Sequence, residues 1–213
     1  MLSTKMGYSE GFPMNDELLA LYQADQQEHA NQAKVNTPEY KSMRAQDLER
    51  RRRVMELVKI GELQSAEDYF HAAWIMNHGD TSEDAENAHL LARYSSELGY
   101  RPARWLAAAS YDRWLMYQGK PQKYGTNYIY DGIKDRLWDV DPSTTDEERA
   151  AWDVPPLAEQ LRKAEEANWN KVPMSEKELK EFQANAPEWF KKILAKWRHE
   201  ENGSQDAAPL IQS

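Results

Sequence analysis

The chain has 213 residues, a formal charge of -9 and no cysteine. The lack of cysteine excludes disulfides, thiol nucleophiles and thiolate-held zinc or iron–sulfur centres, and an acidic surface repels phosphate backbones, so no nucleic-acid partner is expected. Apolar residues make up 40%, but eight Trp and eleven Tyr supply large buried areas for a core.

Residues 1–14, with Gly7, Gly11 and Pro13, read as a flexible arm. They hold no apolar run of signal-peptide length, and no later run reaches the length of a membrane span. The expectation is therefore a soluble, cytoplasmic protein. Asn15 or Asp16 caps a helix to about Ala33, whose apolar positions Leu18, Leu19, Tyr22 and Ala30 are sparse. Thr37-Pro38 is a start signal, with Thr as N-cap and Pro at the first helical position. That helix stops at Gly61, a good residue just past a helix end. It carries the basic run Arg50 to Arg53, flanked by Asp47, Glu49 and Glu56, which reads as a solvated, ion-paired face.

Ser65 caps a helix over 66–78, and Gly79 ends it. Thr81 and Asp84 resemble a capping box and open a helix that ends at Gly99. Pro102 starts a third helix, ended by Gly119. Breakers spaced roughly 20 residues apart predict three antiparallel helices joined by short turns. Beyond Gly119 the helical period is lost. Tyr124-Gly125-Thr126 reads as a turn and Tyr128-Ile129-Tyr130 as a short extended segment. Thr145 with Glu148 is a capping box for a short helix. Val154-Pro155-Pro156 breaks it and opens another, to about Ala167. Pro173 and Ser175 mark a further start. In a last helix over 188–200, Trp189, Phe190, Ile193, Leu194 and Trp197 line one face. That face suits packing on the domain or, in a homo-oligomer, on a second copy. The tail 201–213 reads as disordered. The fold class expected is all-α: an antiparallel helical bundle or α-hairpin array, one domain over 15–200, with a short irregular or β-like segment near 120–132.

The helix over 66–78 is apolar nearly all round, so His71, Asn77 and His78 fall in or near the core. Asp112 and Arg113 interrupt the apolar stripe of the third helix, which calls for specific partners. His71 precedes Asp80, the centre of the first turn, by as many residues as His89 follows it. Across the second turn, Asp112 is level with Ala88. His71, His89 and Asp112 are therefore candidates for one layer, as acid–base groups or as ligands if a metal binds. His78 lies about 10 Å along the axis from His71 at the standard helical rise and cannot share a metal with it.

Asp112-Arg113, followed by Gly119-Lys120-Pro121-Gln122-Lys123-Tyr124-Gly125-Thr126, resembles the DR…GxxQxYGTQ signature of a bacterial domain family of unknown function. The likeness runs over residues 65–162. It takes in His78-Gly79 and the acidic segment from Asp139 through Arg149 to Val154-Pro155-Pro156-Leu157. Asn127 stands where the family has Gln. The resemblance implies a helical domain with a shared site and names no reaction.

Gln122, Tyr124, Gly125, Thr126 and Asn127 bring amides, a phenol and a hydroxyl together around a glycine that permits close backbone approach. With Arg113 and His78 they are candidate ligand-binding residues. Two readings follow. In one, a helical domain binds a small polar or anionic molecule or peptide, with Asp112, His71 and His89 as candidate acid–base groups. In the other, an α-hairpin interaction scaffold uses the same residues structurally. Neither requires a cofactor.

Overall fold

The computed structural model describes residues 13–31, 33 and 37–206, with side chains to residue 200. Residues 1–12 of the arm expected over 1–14, and 207–213 of the tail expected over 201–213, lie outside the described residues. The fold is all-α with one small two-stranded sheet. The contacts divide into two compact units, with the boundary between Trp114 and Leu115. It falls inside a continuous helix.

The first unit contains α1 (Asp16–Ala30), α2 (Pro38–Ile60), α3 (Ala66–Asn77), α4 (Ser82–Glu97) and most of α5 (Ala103–Tyr117). The helix starts follow the local chemistry. Asn15, Thr37, Ser65 and Thr81 each accept a bond from the backbone N–H three residues on, which satisfies donors that have no partner inside the helix. Ser65 and Thr81 both head complete capping boxes with Asp at the third position. Gly61 takes the left-handed conformation at the end of α2, at φ 76°. α3 and α4 form a hairpin, and α1 and α2 pack on α3. Small residues at the contacts, Ala72, Ala73, Ala85, Ala88 and Ala92, are buried with Leu18, Val54, Leu57 and Ile75.

Two buried features hold the entry and exit of α3. The Asp68 carboxylate is fully buried and accepts from the backbone N–H of Asn15 at 2.8 Å, Gln64 at 3.1 Å and Ser65 at 3.0 Å. It thus ties the start of α1 to the start of α3. At the other end Gly79 admits the Asp84 side chain so closely that an added Cβ would lie 2.2 Å from Asp84 Cβ.

The basic run on α2 departs from the sequence expectation. Arg52 is exposed and Arg53 half-buried, and they pair with Glu49, Glu56 and Glu17. Arg50 and Arg51 are buried. α1 and the α3–α4 turn bring carboxylates and carbonyls against that face of α2, which lets half of the run leave water.

The second unit contains the end of α5, then β1 (Tyr128–Tyr130), β2 (Asp135–Leu137), α6 (Asp146–Ala151), α7 (Leu157–Ala167), α8 (Glu176–Asn185) and α9 (Glu188–Asp206). β1 and β2 pair antiparallel, Tyr128 opposite Leu137 and Tyr130 opposite Asp135. The hairpin turn is held by buried Asp131, whose Oδ1 accepts from the N–H of Ile133 and of Lys134, both at 2.7 Å, while Oδ2 pairs with Arg136. Trp138, Met116, Phe190, Leu194 and Trp197 form the core. The apolar face of α9, expected to cover the domain or a second copy, packs here. α9 continues through Asp206, so residues 201–206 are helical rather than part of a disordered tail.

Candidate functional site

The first unit gathers charged groups where α1, α2 and the end of α3 meet. Asp25 and His29 are one helical turn apart on α1, hence on one face. His78 caps α3 and turns its ring toward them, with Nδ1 at 2.9 Å and 3.1 Å from the two Asp25 oxygens. The His29 and His78 rings stack with centroids 3.7 Å apart. His29 Nε2 lies 3.2 Å from Asp47 Oδ1 and 3.9 Å from Asp25 Oδ1. Asp25 is 0% exposed and Asp47 1%.

α2 supplies the cations. Arg44 Nη1 donates to Asp47 at 2.6 Å, and Arg50 Nη2 donates to Asp47 at 2.7 Å and Glu28 at 2.6 Å. Burial pushes the Asp47 carboxyl up. Hydrogen bonds from His29 and Arg50, with the charges of His29 and Arg44, outweigh that and hold it down to about 2. Guanidinium groups also collect at the negative end of α3. The His78 carbonyl accepts from Arg44 at 2.9 Å and Arg51 at 3.5 Å, and the Asn77 carbonyl accepts from Arg113 at 2.5 Å.

Beside this cluster an open cleft of about 760 Å³ runs along α2 and past the α3–α4 turn. Arg44, Arg51, Arg52 and Lys59 line it, with Asp80 and Asp84 across the turn and Met55 and Met76 as apolar floor. Arg51 is only 6% exposed, yet poorly matched. Its Nη1 reaches the His78 carbonyl only at the 3.5 Å limit. Its Nε lies 3.5 Å from Asp84 and has no hydrogen-bond acceptor among the described residues.

The residues singled out from sequence fall as follows. His71 is buried and stacks on Tyr22 with centroids 4.3 Å apart, and its Nδ1 has no partner among the described residues. His89 Nδ1 is 2.9 Å from the Ala107 carbonyl, and its ring lies against Tyr111. Burial pushes both imidazoles below the ordinary value. Asp112 is fully buried in α5. These three do not form a metal-ligand set. Among the described residues, the one group of three or more His or carboxylate side chains whose ligand atoms all lie within 4.8 Å of one another is Asp25, His29 and His78. Equal height in two hairpins did not bring equal facing. Arg113 binds the end of α3.

The Gln122–Asn127 loop belongs to the second unit. Gln122 is completely buried, and its amide is bonded at both ends. Nε2 donates to the Trp138 carbonyl at 2.8 Å and the Asn127 carbonyl at 3.2 Å, and Oε1 accepts from Asn127 N at 2.9 Å. Its polar atoms satisfy the loop's own backbone. Gly125 has φ 87°. The Tyr124 carbonyl accepts from buried Arg149 Nε at 2.9 Å. Thr126 and Asn127 are buried beside each other, with Asn127 Nδ2 donating to Thr126 Oγ1 at 3.1 Å. Tyr124 packs against Trp152.

No family model, curated protein or solved structure matches the chain.

Asp25, His29, Asp47 and Arg51 were not singled out as site residues from sequence. Two signals were present. One was the i, i+4 spacing of Asp25 and His29 on a helix whose apolar positions are sparse. The other was the i, i+3 spacing of Asp47 and Arg50 inside a basic run.

Proposed function

We propose that the first unit is a binding module for a small anionic molecule, a carboxylate or phosphate, held in the cleft between α2 and the α3–α4 turn. Arg51 carries the reading. A buried guanidinium normally satisfies its donors with carboxylate or carbonyl oxygens, and Arg51 faces the cleft with long, incomplete contacts. A ligand carboxylate or phosphate supplies the planar pair of acceptors that such a group takes best. Lys59 stands at the rim with Glu56 and Glu83, and Met55 and Met76 accept an apolar portion of the ligand.

Calorimetric titration of the full chain with inorganic phosphate, malonate and citrate tests this. At least one of these anions binds the native chain, and Arg51→Gln weakens that binding tenfold or more without lowering the melting temperature by more than a few degrees. Failure of all three to bind, or equal binding by the variant, overturns the reading.

A second reading, the interaction scaffold, has its own support. Leu90, Tyr94 and Leu98 are 52%, 46% and 48% exposed and follow one another a turn apart along and just beyond α4. Such a stripe suits a partner helix. Tyr94→Glu tests it by removing partner capture from a lysate while leaving anion binding intact.

A further inference from the structure

We propose that Asp25, His29 and His78 form a binding site for a divalent transition-metal ion of the zinc class. The site is distinct from the anion cleft.

The donor set comes first. One carboxylate and two imidazoles suit zinc and its neighbours, whereas magnesium and calcium prefer oxygen alone. The placement comes next. Asp25 and His29 share a face of α1 one turn apart, and His78 arrives from the end of α3, so three side chains converge from two helices. Their ligand atoms all lie within 4.8 Å of one another. Each bond to a zinc-class ion is about 2.0–2.2 Å, so ligand atoms around one ion stand no more than about twice that apart. A small inward shift closes the set.

The charges point the same way. Asp25 is fully buried, and the nearest guanidinium nitrogen, Arg50 Nε, is 3.7 Å away. Its hydrogen-bond partners are His78 Nδ1 and, at 3.0 Å, the Gln26 amide. Asp47, by contrast, is held by two arginines. A buried carboxylate needs a close positive charge. A divalent ion held by the three side chains supplies one. Asp47 lies 3.2 Å from the same His29 nitrogen that faces Asp25, and Arg44 and Arg50 hold it there.

The test uses the untagged full chain, stripped with a chelator and dialysed. Titration with zinc chloride, followed by calorimetry, and with cobalt chloride, followed by visible absorption, should each show one equivalent bound. His29→Gln, at a half-exposed ligand, should weaken zinc at least a hundredfold and abolish the cobalt bands while the metal-free protein keeps its melting temperature. His78→Gln should weaken zinc and abolish the cobalt bands likewise, at some cost in melting temperature because buried Asp25 loses its partner, and His71→Gln and His89→Gln should leave binding unchanged. Absence of zinc and cobalt binding by the native chain overturns the proposal, as does undiminished binding by His29→Gln. Arg51→Gln should bind zinc as the native chain does, so failure of the anion cleft and failure of the metal site are read separately.

Discussion

His78 Nδ1 meets both carboxylate oxygens of Asp25, at 2.9 Å and 3.1 Å, across 53 residues of sequence. The same residue's carbonyl accepts from Arg44. One histidine therefore links the end of α3 to α1 through its ring and to α2 through its backbone. Asp25→Ala strands the partially buried His78 ring nitrogen and the Gln26 amide that it pairs with, and should cost about 2–3 kcal/mol of stability. Urea unfolding of the metal-free chain measures this. A loss below about 1 kcal/mol, the range of an exposed pair, would show that the contact is not a buried one.

Asp68 separates charge from shape. Its carboxylate accepts three backbone N–H groups. Asp68→Ala strands all three and should lower stability by about 2–4 kcal/mol. Asp68→Asn keeps one acceptor oxygen and should lose less. Equal losses from the two substitutions would mean that packing, not hydrogen bonding, holds the α1–α3 junction.

Gly79→Ala tests the close approach at the α3–α4 turn. The new Cβ would meet the Cβ and carboxyl of Asp84, and Asp84 is anchored as the return partner of the Thr81 capping box. Relief requires opening that box, at a cost of about 1–3 kcal/mol by thermal unfolding. An unchanged melting temperature would place the turn in a looser arrangement.

His71 and His89 set a pH dependence. Burial pushes both imidazoles below the ordinary value. As pH falls through about 6.5, the unfolded chain takes up these protons before the folded one. Their contribution is therefore fully present above that pH and declines as pH drops toward the lower folded values. Denaturant midpoints at pH 7.5, 6.0 and 5.0 should fall in that order, and His89→Gln should flatten the trend. A midpoint that rises on acidification would contradict the sign.

In the second unit, Arg149 is almost wholly buried and clamps three points: Nε donates to the Tyr124 carbonyl at 2.9 Å, and Nη1 to the Thr144 carbonyl at 2.9 Å and to Asp146 at 3.0 Å. Arg149→Met removes the donors while keeping much of the volume. It should destabilise by about 2–4 kcal/mol and increase hydrogen exchange of Asn127 N, whose acceptor is Gln122. Protection of Asn127 unchanged from the native chain would uncouple the two halves of this loop.

The sequence by itself determined where the helices begin. Asn15, Thr37, Ser65, Thr81, Thr145 and Ser175 all cap helices in the structure, because a cap acts on an N–H only three residues away and needs no tertiary context. It also marked Asp112, Arg113 and the Gln122–Asn127 loop as polar groups out of place, and the structure buries Asp112 and Gln122 completely. Only the tertiary structure decided which distant groups meet. The sequence placed His71, His89 and Asp112 at one height, but helical rotation determines facing, and a shift of one residue turns a side chain by about 100°. The same rotation brought His78 to Asp25 and His29 and set Arg51 against the cleft. Caps are local and can be read from spacing. The pairing of buried charges depends on how helices rotate against each other, which the packing of the whole unit determines.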